Sequence, residues 1–132
     1  MSEKLKMSTE FNVSPAKVYD AWLDSEAHGN FTGDVAEIDP KVGGKFKAWG
    51  GYIWGETLEL EPSHRILQSW RTTDFPDSAP DSLLEVLIDP LDEGCRLTLV
   101  HTNIPDGQKD GYEEGWRDYY FTPMKEFFEN NE

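Results

Sequence analysis

The N-terminal part of the chain alternates apolar and polar residues, the pattern of a β-strand with one buried face. The more apolar face of this pattern consists of Leu5, Met7, Thr9, Phe11 and Val13. Because successive side chains of a strand point to opposite faces, the spacing predicts a strand here. β-rich runs bounded by turn residues predict six more strands, at 34–39, 44–49, 52–60, 64–73, 83–89 and 95–102.

Two short helices are predicted between the first and second strands. Ser14 can cap the first helix, and Pro15 fits its first turn, where a missing N–H costs nothing. Asp24 is placed to cap a second helix, which is expected to break at Gly29-Asn30. Both helices would lie close together in space because only a few residues separate them.

The C-terminal segment, residues 111–130, has the period of a long amphipathic helix. Its apolar and aromatic positions are Tyr112, Trp116, Tyr119, Tyr120, Pro123, Met124, Phe127 and Phe128. Pro123 lies inside the pattern and is expected to kink the helix, since it lacks an N–H and clashes with the preceding turn. A meander of strands followed by such a helix predicts an α+β fold in which a curved antiparallel sheet grips the helix and leaves a cavity between them.

Length and composition limit what the chain can be. Its 132 residues fit one domain, taken as 1–132, and its one cysteine, Cys95, excludes an internal disulfide. The net charge of −14 disfavours nucleic acid as a partner because it repels phosphate groups. No apolar run approaches the roughly 20 residues of a membrane span, and no signal peptide is evident. A cytoplasmic protein without membrane insertion is therefore expected.

A set of short motifs in a fixed order carries a family resemblance across nearly the whole chain. They are Val13-Ser14-Pro15, Val18-Tyr19-Asp20-Ala21-Trp22, Asp39-Pro40, Val42-Gly43-Gly44-Lys45-Phe46, Gly55-Glu56, Leu60-Glu61-Pro62, Arg65-Ile66, Trp70, Leu97-Thr98-Leu99, His101, Gly115-Trp116 and Tyr119-Tyr120. With them the chain resembles the activator of heat-shock protein 90 ATPase homologue-like domains of the SRPBCC superfamily, also called START-like or birch-pollen-allergen-like. The resemblance implies a helix-grip fold with six to seven antiparallel strands around the C-terminal helix and two short helices after the first strand.

Alternation within the strands assigns side chains to the inner face of the sheet. Polar residues mark the outer face of three strands, so the following should point inwards: Ile66, Gln68 and Trp70; Leu84, Val86 and Ile88; Leu97, Leu99 and His101. In strand 52–60, Thr57 and Glu59 are assigned outwards. The residues of that strand assigned inwards are Tyr52, Trp54, Glu56, Leu58 and Leu60. A slip of one residue would invert any of these assignments.

The inner face combined with the helix gives a list of candidate ligand-binding residues. They are Trp54, Glu56, Leu58, Gln68, Trp70, Val86, Leu99, His101, Trp116 and Tyr120. Three of them are polar, namely Glu56, Gln68 and His101, and would orient a small amphipathic molecule in an otherwise apolar pocket. In the alternative interpretation they are structural, with Glu56 paired to a tyrosine or arginine and His101 bonded to a backbone carbonyl.

Three functions remain open at this point. The favoured one is binding of a lipophilic or aromatic small molecule without transforming it. The second is interaction with a chaperone, and the third is cyclase- or aromatase-like catalysis by a buried glutamate or histidine. No catalytic nucleophile is assigned, because acidic neighbours should raise the pKa of the Cys95 thiol. No cofactor or metal is expected, since His28, His64 and His101 fall on separate elements. A monomer or a weak dimer fits equally well.

Overall fold

The computed structural model describes residues 2–130, which form one seven-stranded antiparallel sheet with helices against its inner face. The strands are β1 Ser2–Phe11, β2 Glu37–Ile38, β3 Lys45–Ala48, β4 Ile53–Glu61, β5 Arg65–Thr72, β6 Ser82–Leu91 and β7 Gly94–Pro105. Their order across the sheet is β1-β7-β6-β5-β4-β3-β2, so β1 and β2 are the edges. The helices are α1 Pro15–Leu23, α2 Ser25–Thr32, α3 Lys109–Trp116 and α4 Thr122–Asn130, with a π-helical segment, Arg117–Phe121, between the last two. The predicted helix-grip architecture is confirmed.

The two short helices begin at the predicted caps. Ser14 Oγ accepts a hydrogen bond from the Lys17 N–H at 3.3 Å, and Asp24 Oδ2 accepts one from the Ala27 N–H at 2.8 Å. The predicted break of the second helix at Gly29-Asn30 is wrong. The helix continues to Thr32 and ends at Gly33, whose left-handed backbone (φ 81°) lets its N–H bond the Gly29 carbonyl.

The C-terminal helix is irregular just before its proline. In the π-helical segment the Thr122 N–H reaches back five residues to the Arg117 carbonyl, and the Thr122 hydroxyl donates to the same oxygen at 3.1 Å. This wider turn makes room before Pro123, whose ring would collide with the preceding turn of a regular α-helix. The irregularity expected at Pro123 therefore takes the form of a π segment.

The core lies between the central strands and the C-terminal helix. The inward assignments for β5, β6 and β7 are confirmed, because Ile66, Gln68, Trp70, Leu84, Val86, Ile88, Leu97, Leu99 and His101 are all buried. Trp116, Tyr120, Met124 and Phe128 of the C-terminal helix are buried against them. Edge-to-face ring pairs such as Phe11 with Phe128, 5.2 Å between centroids, add directional packing to the apolar burial.

The inward assignment for most of β4 is wrong. Ile53 and Thr57 are the buried residues, at 5% and 0% exposure, whereas Trp54 is 36% exposed on the outer face. A register irregularity between Thr57 and Glu59 is the cause, since the extra residue of a bulge reverses which positions face inwards. Beyond the bulge Leu60 pairs with Ile66 and packs partly against the core, as expected. The sequence pattern predicts one continuous alternation for this strand, whereas the pairing with β5 shows that the alternation is interrupted at the bulge.

Candidate functional site

An open cavity of about 680 Å³ lies between α3 with the π segment on one side and the β3–β4 turn, β5 and the β5–β6 loop on the other. Half of its lining residues are aromatic. The full lining is Asp34, Trp49, Tyr52, Ile53, Trp70, Asp74, Gly107, Gln108, Gly111, Tyr112, Gly115, Trp116, Tyr119 and Tyr120. This concave aromatic surface is the best-formed site in the described part of the chain.

Two glycines of α3, together with Gly107 in the turn before it, keep this wall of the cavity flat. A Cβ atom placed on Gly107, Gly111 or Gly115 would meet no other heavy atom within 4 Å. Gly111 and Gly115 are one turn apart on α3, so both open the same face of the helix. Larger side chains at these positions would extend into the cavity and reduce its volume.

The aromatic walls are built from rings that meet at steep angles. Trp49 and Tyr119 have centroids 5.9 Å apart and planes at 77°, and Trp70 meets Tyr112 at 4.9 Å and 81°. Tyr119 comes from the π segment and is 61% exposed, so it lies at the opening. Trp70 is 3% exposed and belongs to the floor.

A buried hydrogen-bond chain supports the floor of the cavity. The Trp116 Nε1–H donates to His101 Nδ1 at 3.2 Å, so His101 carries its proton on Nε2 and donates it to Ser82 Oγ at 2.9 Å. Ser82 in turn donates to the Trp70 carbonyl at 2.7 Å. Burial lowers the pKa of His101 to about 3. His101 is therefore a neutral positioning group that fixes the indole of Trp116.

A second neutral histidine holds Tyr120 from the other side. His28 Nδ1 lies 2.9 Å from the Trp22 carbonyl and donates to it, while Nε2 accepts from the Tyr120 hydroxyl at 2.9 Å. Burial lowers the pKa of His28 to about 4. Burial also raises the pKa of Tyr120, although a hydrogen bond with Trp49 acts in the opposite direction. The rings of His28 and Tyr120 are thus held in one orientation at this end of the cavity.

Polar side chains at the mouth form a third network. The Tyr112 hydroxyl donates to Gln108 Oε1 at 2.6 Å and lies 2.9 Å from Thr72 Oγ1. The Tyr52 hydroxyl donates to Asp74 Oδ2 at 2.5 Å. Burial, together with this bond to Asp74, raises the pKa of Tyr52 to about 12. These groups give the mouth a fixed polar border above the apolar interior.

Three of the predicted site residues, Trp70, Trp116 and Tyr120, line this cavity. Gln68 lies deeper, where it accepts from Trp22 Nε1 at 3.3 Å and donates to Thr57 Oγ1 at 3.2 Å. The space beside Gln68 is only about 10 Å³, no more than one water molecule needs. The remaining inward candidates, Val86 and Leu99, are fully buried in the core and do not line the cavity.

The other candidates are separated from the cavity. Trp54 and Glu56 were predicted on the inner face, but they lie on the opposite face from the buried Ile53 and Thr57. Leu58 is the unpaired residue of the bulge and does not line the cavity. His101 lies behind Trp116, with both ring nitrogens occupied. The structure therefore does not bring Glu56, Gln68 and His101 together, and the predicted trio does not form one ligand-orienting group.

Most of the cavity lining was missed at the sequence level. Trp49, Asp34 and Asp74 come from turns and loops, where no periodicity reports a face. One signal was available in the helix: Gly111 and Gly115 stand four apart with no turn to form. Since glycine weakens a helix, such a pair indicates that its face needs space.

Cys95 is buried in the core and does not line the cavity. Burial raises the pKa of the Cys95 thiol to about 11, in the predicted direction but mainly through desolvation rather than acidic neighbours. Within residues 2–130 no group of three or more histidine, cysteine, aspartate or glutamate side chains is arranged to hold a metal ion. None of the helices described has both the length and the apolar character to cross a membrane.

Comparison with known proteins places this chain in a family. The chain is 30% identical over 130 residues to an activator of 90 kDa heat shock protein ATPase homolog from Dictyostelium discoideum, covering 96% of this chain and 33% of that protein. It is 28% identical over 125 residues to the human homolog 1, covering 95% and 37%. It thus spans about a third of the length of these curated relatives. An HSP90 activator structure from Plasmodium falciparum matches with a TM-score of 0.86 and 27% identity over 92% of both chains. The family model for Activator of Hsp90 ATPase homolog 1-like protein matches residues 12–129, and the chain belongs to that family.

Proposed function

We propose that this domain binds a small molecule with an apolar, ring-containing body in the aromatic cavity between α3 and the sheet. The observation that carries the proposal is the cavity itself. Its volume of about 680 Å³ falls within the range of roughly 300–1,000 Å³ typical of small-molecule sites. Its combination of aromatic walls and a few polar groups at the mouth is also typical of such sites.

Affinity would come chiefly from apolar burial against rings that are already fixed. Burying apolar surface contributes about 25 cal/mol per Å². Trp116 and Tyr120 are held by hydrogen bonds to His101 and His28, so a ligand would lose little free energy in ordering them. Gln108 and Tyr112 at the mouth can orient a polar end of the ligand.

Filling the cavity from the glycine face of α3 tests this function. In Gly115→Leu the new side chain should enter the cavity without a clash, because a Cβ there meets open space. We expect at least tenfold weaker binding of a ring probe such as 2-naphthylmethanol, measured by calorimetric titration, with an unchanged fold by circular dichroism. Native mass spectrometry of protein from its own host would look for a retained ligand.

The matched control is Glu114→Leu, which adds the same side chain at the neighbouring exposed position of the same helix. That variant should bind the probe as the unchanged protein does. Equal binding by Gly115→Leu and Glu114→Leu would contradict the proposed site.

A second function, stimulation of an Hsp90-type chaperone, is favoured by the relatives. The Dictyostelium and human proteins are named as activators of the 90 kDa heat shock protein ATPase. The Plasmodium falciparum protein is described as an HSP90 activator, and the match covers 92% of its structure. A domain of this size could therefore contact a chaperone through its acidic outer surface.

The ATPase rate of the host's Hsp90-type chaperone, with and without this protein, measures that function. We expect stimulation that rises with protein concentration. It should weaken at high salt if the net charge of −14 attracts basic groups on the chaperone, because salt screens such attraction beyond a Debye length of about 10 Å at 0.1 M. Gly115→Leu should stimulate normally if chaperone contact and ligand binding are separate. A rate that does not respond to the protein would exclude the chaperone role.

A further inference from the structure

Two carboxylates line the aromatic cavity, and their placement bears on the charge of its ligand. Asp34 follows α2 and accepts the Val35 N–H through Oδ1 at 2.7 Å, and Asp74 lies in the β5–β6 loop and accepts the Tyr52 hydroxyl through Oδ2. A carboxylate offers about four acceptor positions, so each can also accept from a ligand. The lining includes no lysine, arginine or histidine among the residues described.

The rings next to these carboxylates suit a positive charge. Trp49 and Tyr119 meet at 77° beside the opening, and Tyr52 reaches the cavity from the same turn as Trp49. The face of an aromatic ring attracts a cation placed within about 6 Å of its centroid, most strongly for tryptophan. Rings at steep mutual angles can present a face and an edge to one bound group. Carboxylates alone at the opening of a cavity are usually just hydrated. Carboxylates next to aromatic ring faces favour binding of an ammonium group.

We propose that the ligand is an organic cation, a primary to quaternary amine attached to an apolar body, with its charge at the mouth between Asp34 and Asp74 and its body on the aromatic floor. This inference rests on the proposed ligand-binding function and specifies the class of ligand. Anions are disfavoured twice, by the two carboxylates and by the net charge of −14, which also enriches cations near the surface.

Three probes with the same ring system separate the charge classes. They are (2-naphthylmethyl)trimethylammonium as the cation, 2-naphthylmethanol as the neutral compound and 2-naphthylacetate as the anion. Calorimetric titration of the full chain in low salt should rank their affinities cation, neutral, anion. In the double variant Asp34→Asn/Asp74→Asn we expect about tenfold weaker binding of the cation and less than twofold change for the neutral probe. Asparagine keeps an acceptor oxygen for Val35 and Tyr52, so the fold should be preserved.

The control is Asp89→Asn, which removes one exposed acidic group from β6, away from the cavity. It should leave the affinity for the cation within twofold. If the neutral or anionic probe binds as tightly as the cation, or if the double variant binds the cation unchanged, the cationic class is wrong while ligand binding stands. If none of the three probes binds, the ligand-binding function fails as well.

Discussion

At the scale of single residues, the buried polar side chains around the cavity each have a defined hydrogen-bonding state. Gln68 joins Trp22 to Thr57, and His101 joins Trp116 to Ser82. Within residues 2–130 no buried side-chain nitrogen or oxygen lacks a partner. These groups therefore stabilise the walls of the site, and changes to them should first affect stability.

Removing the amide of Gln68 should destabilise the protein without affecting the cavity. In Gln68→Leu the buried Trp22 Nε1–H and Thr57 Oγ1 lose their partner, which costs about 1–3 kcal/mol in free energy of unfolding. Urea denaturation measures that cost. The affinity for a ring probe should stay the same, because Gln68 does not line the cavity. A stable variant that lost the probe would restore Gln68 as a ligand contact.

The two neutral histidines predict a pH dependence of stability. Burial lowers the pKa of His28 to about 4 and of His101 to about 3, whereas an unfolded histidine titrates near 6.5. Between these values only the unfolded state binds the protons, so the free energy of unfolding should fall as pH decreases from about 6.5 to about 4. Each histidine contributes up to about 1.4 kcal/mol per pH unit in that window.

Urea denaturation at several pH values checks this dependence. In His101→Asn the new side-chain oxygen can still accept from Trp116. The change in free energy of unfolding with pH should become smaller by about the 1.4 kcal/mol per pH unit that one proton contributes, and His28→Asn should have the same effect independently. Gln68→Leu provides the control, since it removes a buried side chain that carries no titratable proton and should leave the slope as it was. An unchanged slope in both buried variants would show that other groups cause the acid sensitivity.

At the scale of elements, the C-terminal helix is irregular and contains residues of low helix propensity where it borders the cavity. Gly111 and Gly115 weaken α3, and the π segment places Tyr119 at the opening and Tyr120 on the wall. π segments occur often at functional sites. The helix thus forms the cavity with features that its own stability does not favour.

This cost predicts that alanine should stabilise α3. In Gly115→Ala the free energy of unfolding should rise by about 0.5–1 kcal/mol, since the position is helical and its Cβ meets open space. Gly55→Ala in β4 should do the opposite, because a Cβ there would collide with the Ser69 carbonyl. Denaturation midpoints of the two variants compare them directly, and a destabilised Gly115→Ala would show that this face of α3 is already packed.

At the scale of the whole molecule, the dominant property is the excess of acidic groups, 26 against 12 basic residues. Some basic side chains form ion pairs, as Arg65 does with Glu59 and Glu85, each at 2.6 Å. The remaining negative charge repels itself in the compact state and disfavours folding at low ionic strength.

Salt should therefore stabilise the protein. Raising NaCl from 0.05 to 0.5 M shortens the screening length, and we expect Tm to rise by about 4 °C, the shift that about 1 kcal/mol produces in a chain of this size. Thermal unfolding followed by circular dichroism measures the shift. A variant with Asp77→Asn, Asp92→Asn and Glu93→Gln, all at exposed positions, should respond less. A Tm that is flat or falls with salt would mean that self-repulsion is negligible.

The sequence predicted the fold much more completely than the candidate site. Seven strands, two capped helices and the C-terminal helix were all predicted, and the inner faces of β5, β6 and β7 were correct. Only Trp70, Trp116 and Tyr120 of the site candidates line the cavity. Tyr112 and Tyr119 also line it and belong to the predicted helix, but the periodic pattern alone did not separate them from its core positions. Much of the remaining lining comes from loops, turns and glycines, which have no period from which a face can be assigned.

The sequence by itself determined the elements, because capping, turn formation and alternation depend on residues close together in the chain. Only the tertiary structure decided the direction of Trp54 and Glu56, since the bulge at Leu58 exists only in the pairing of β4 with β5. It also decided where empty space remains. A cavity is the volume that side chains from distant segments fail to fill, and no local pattern specifies that remainder.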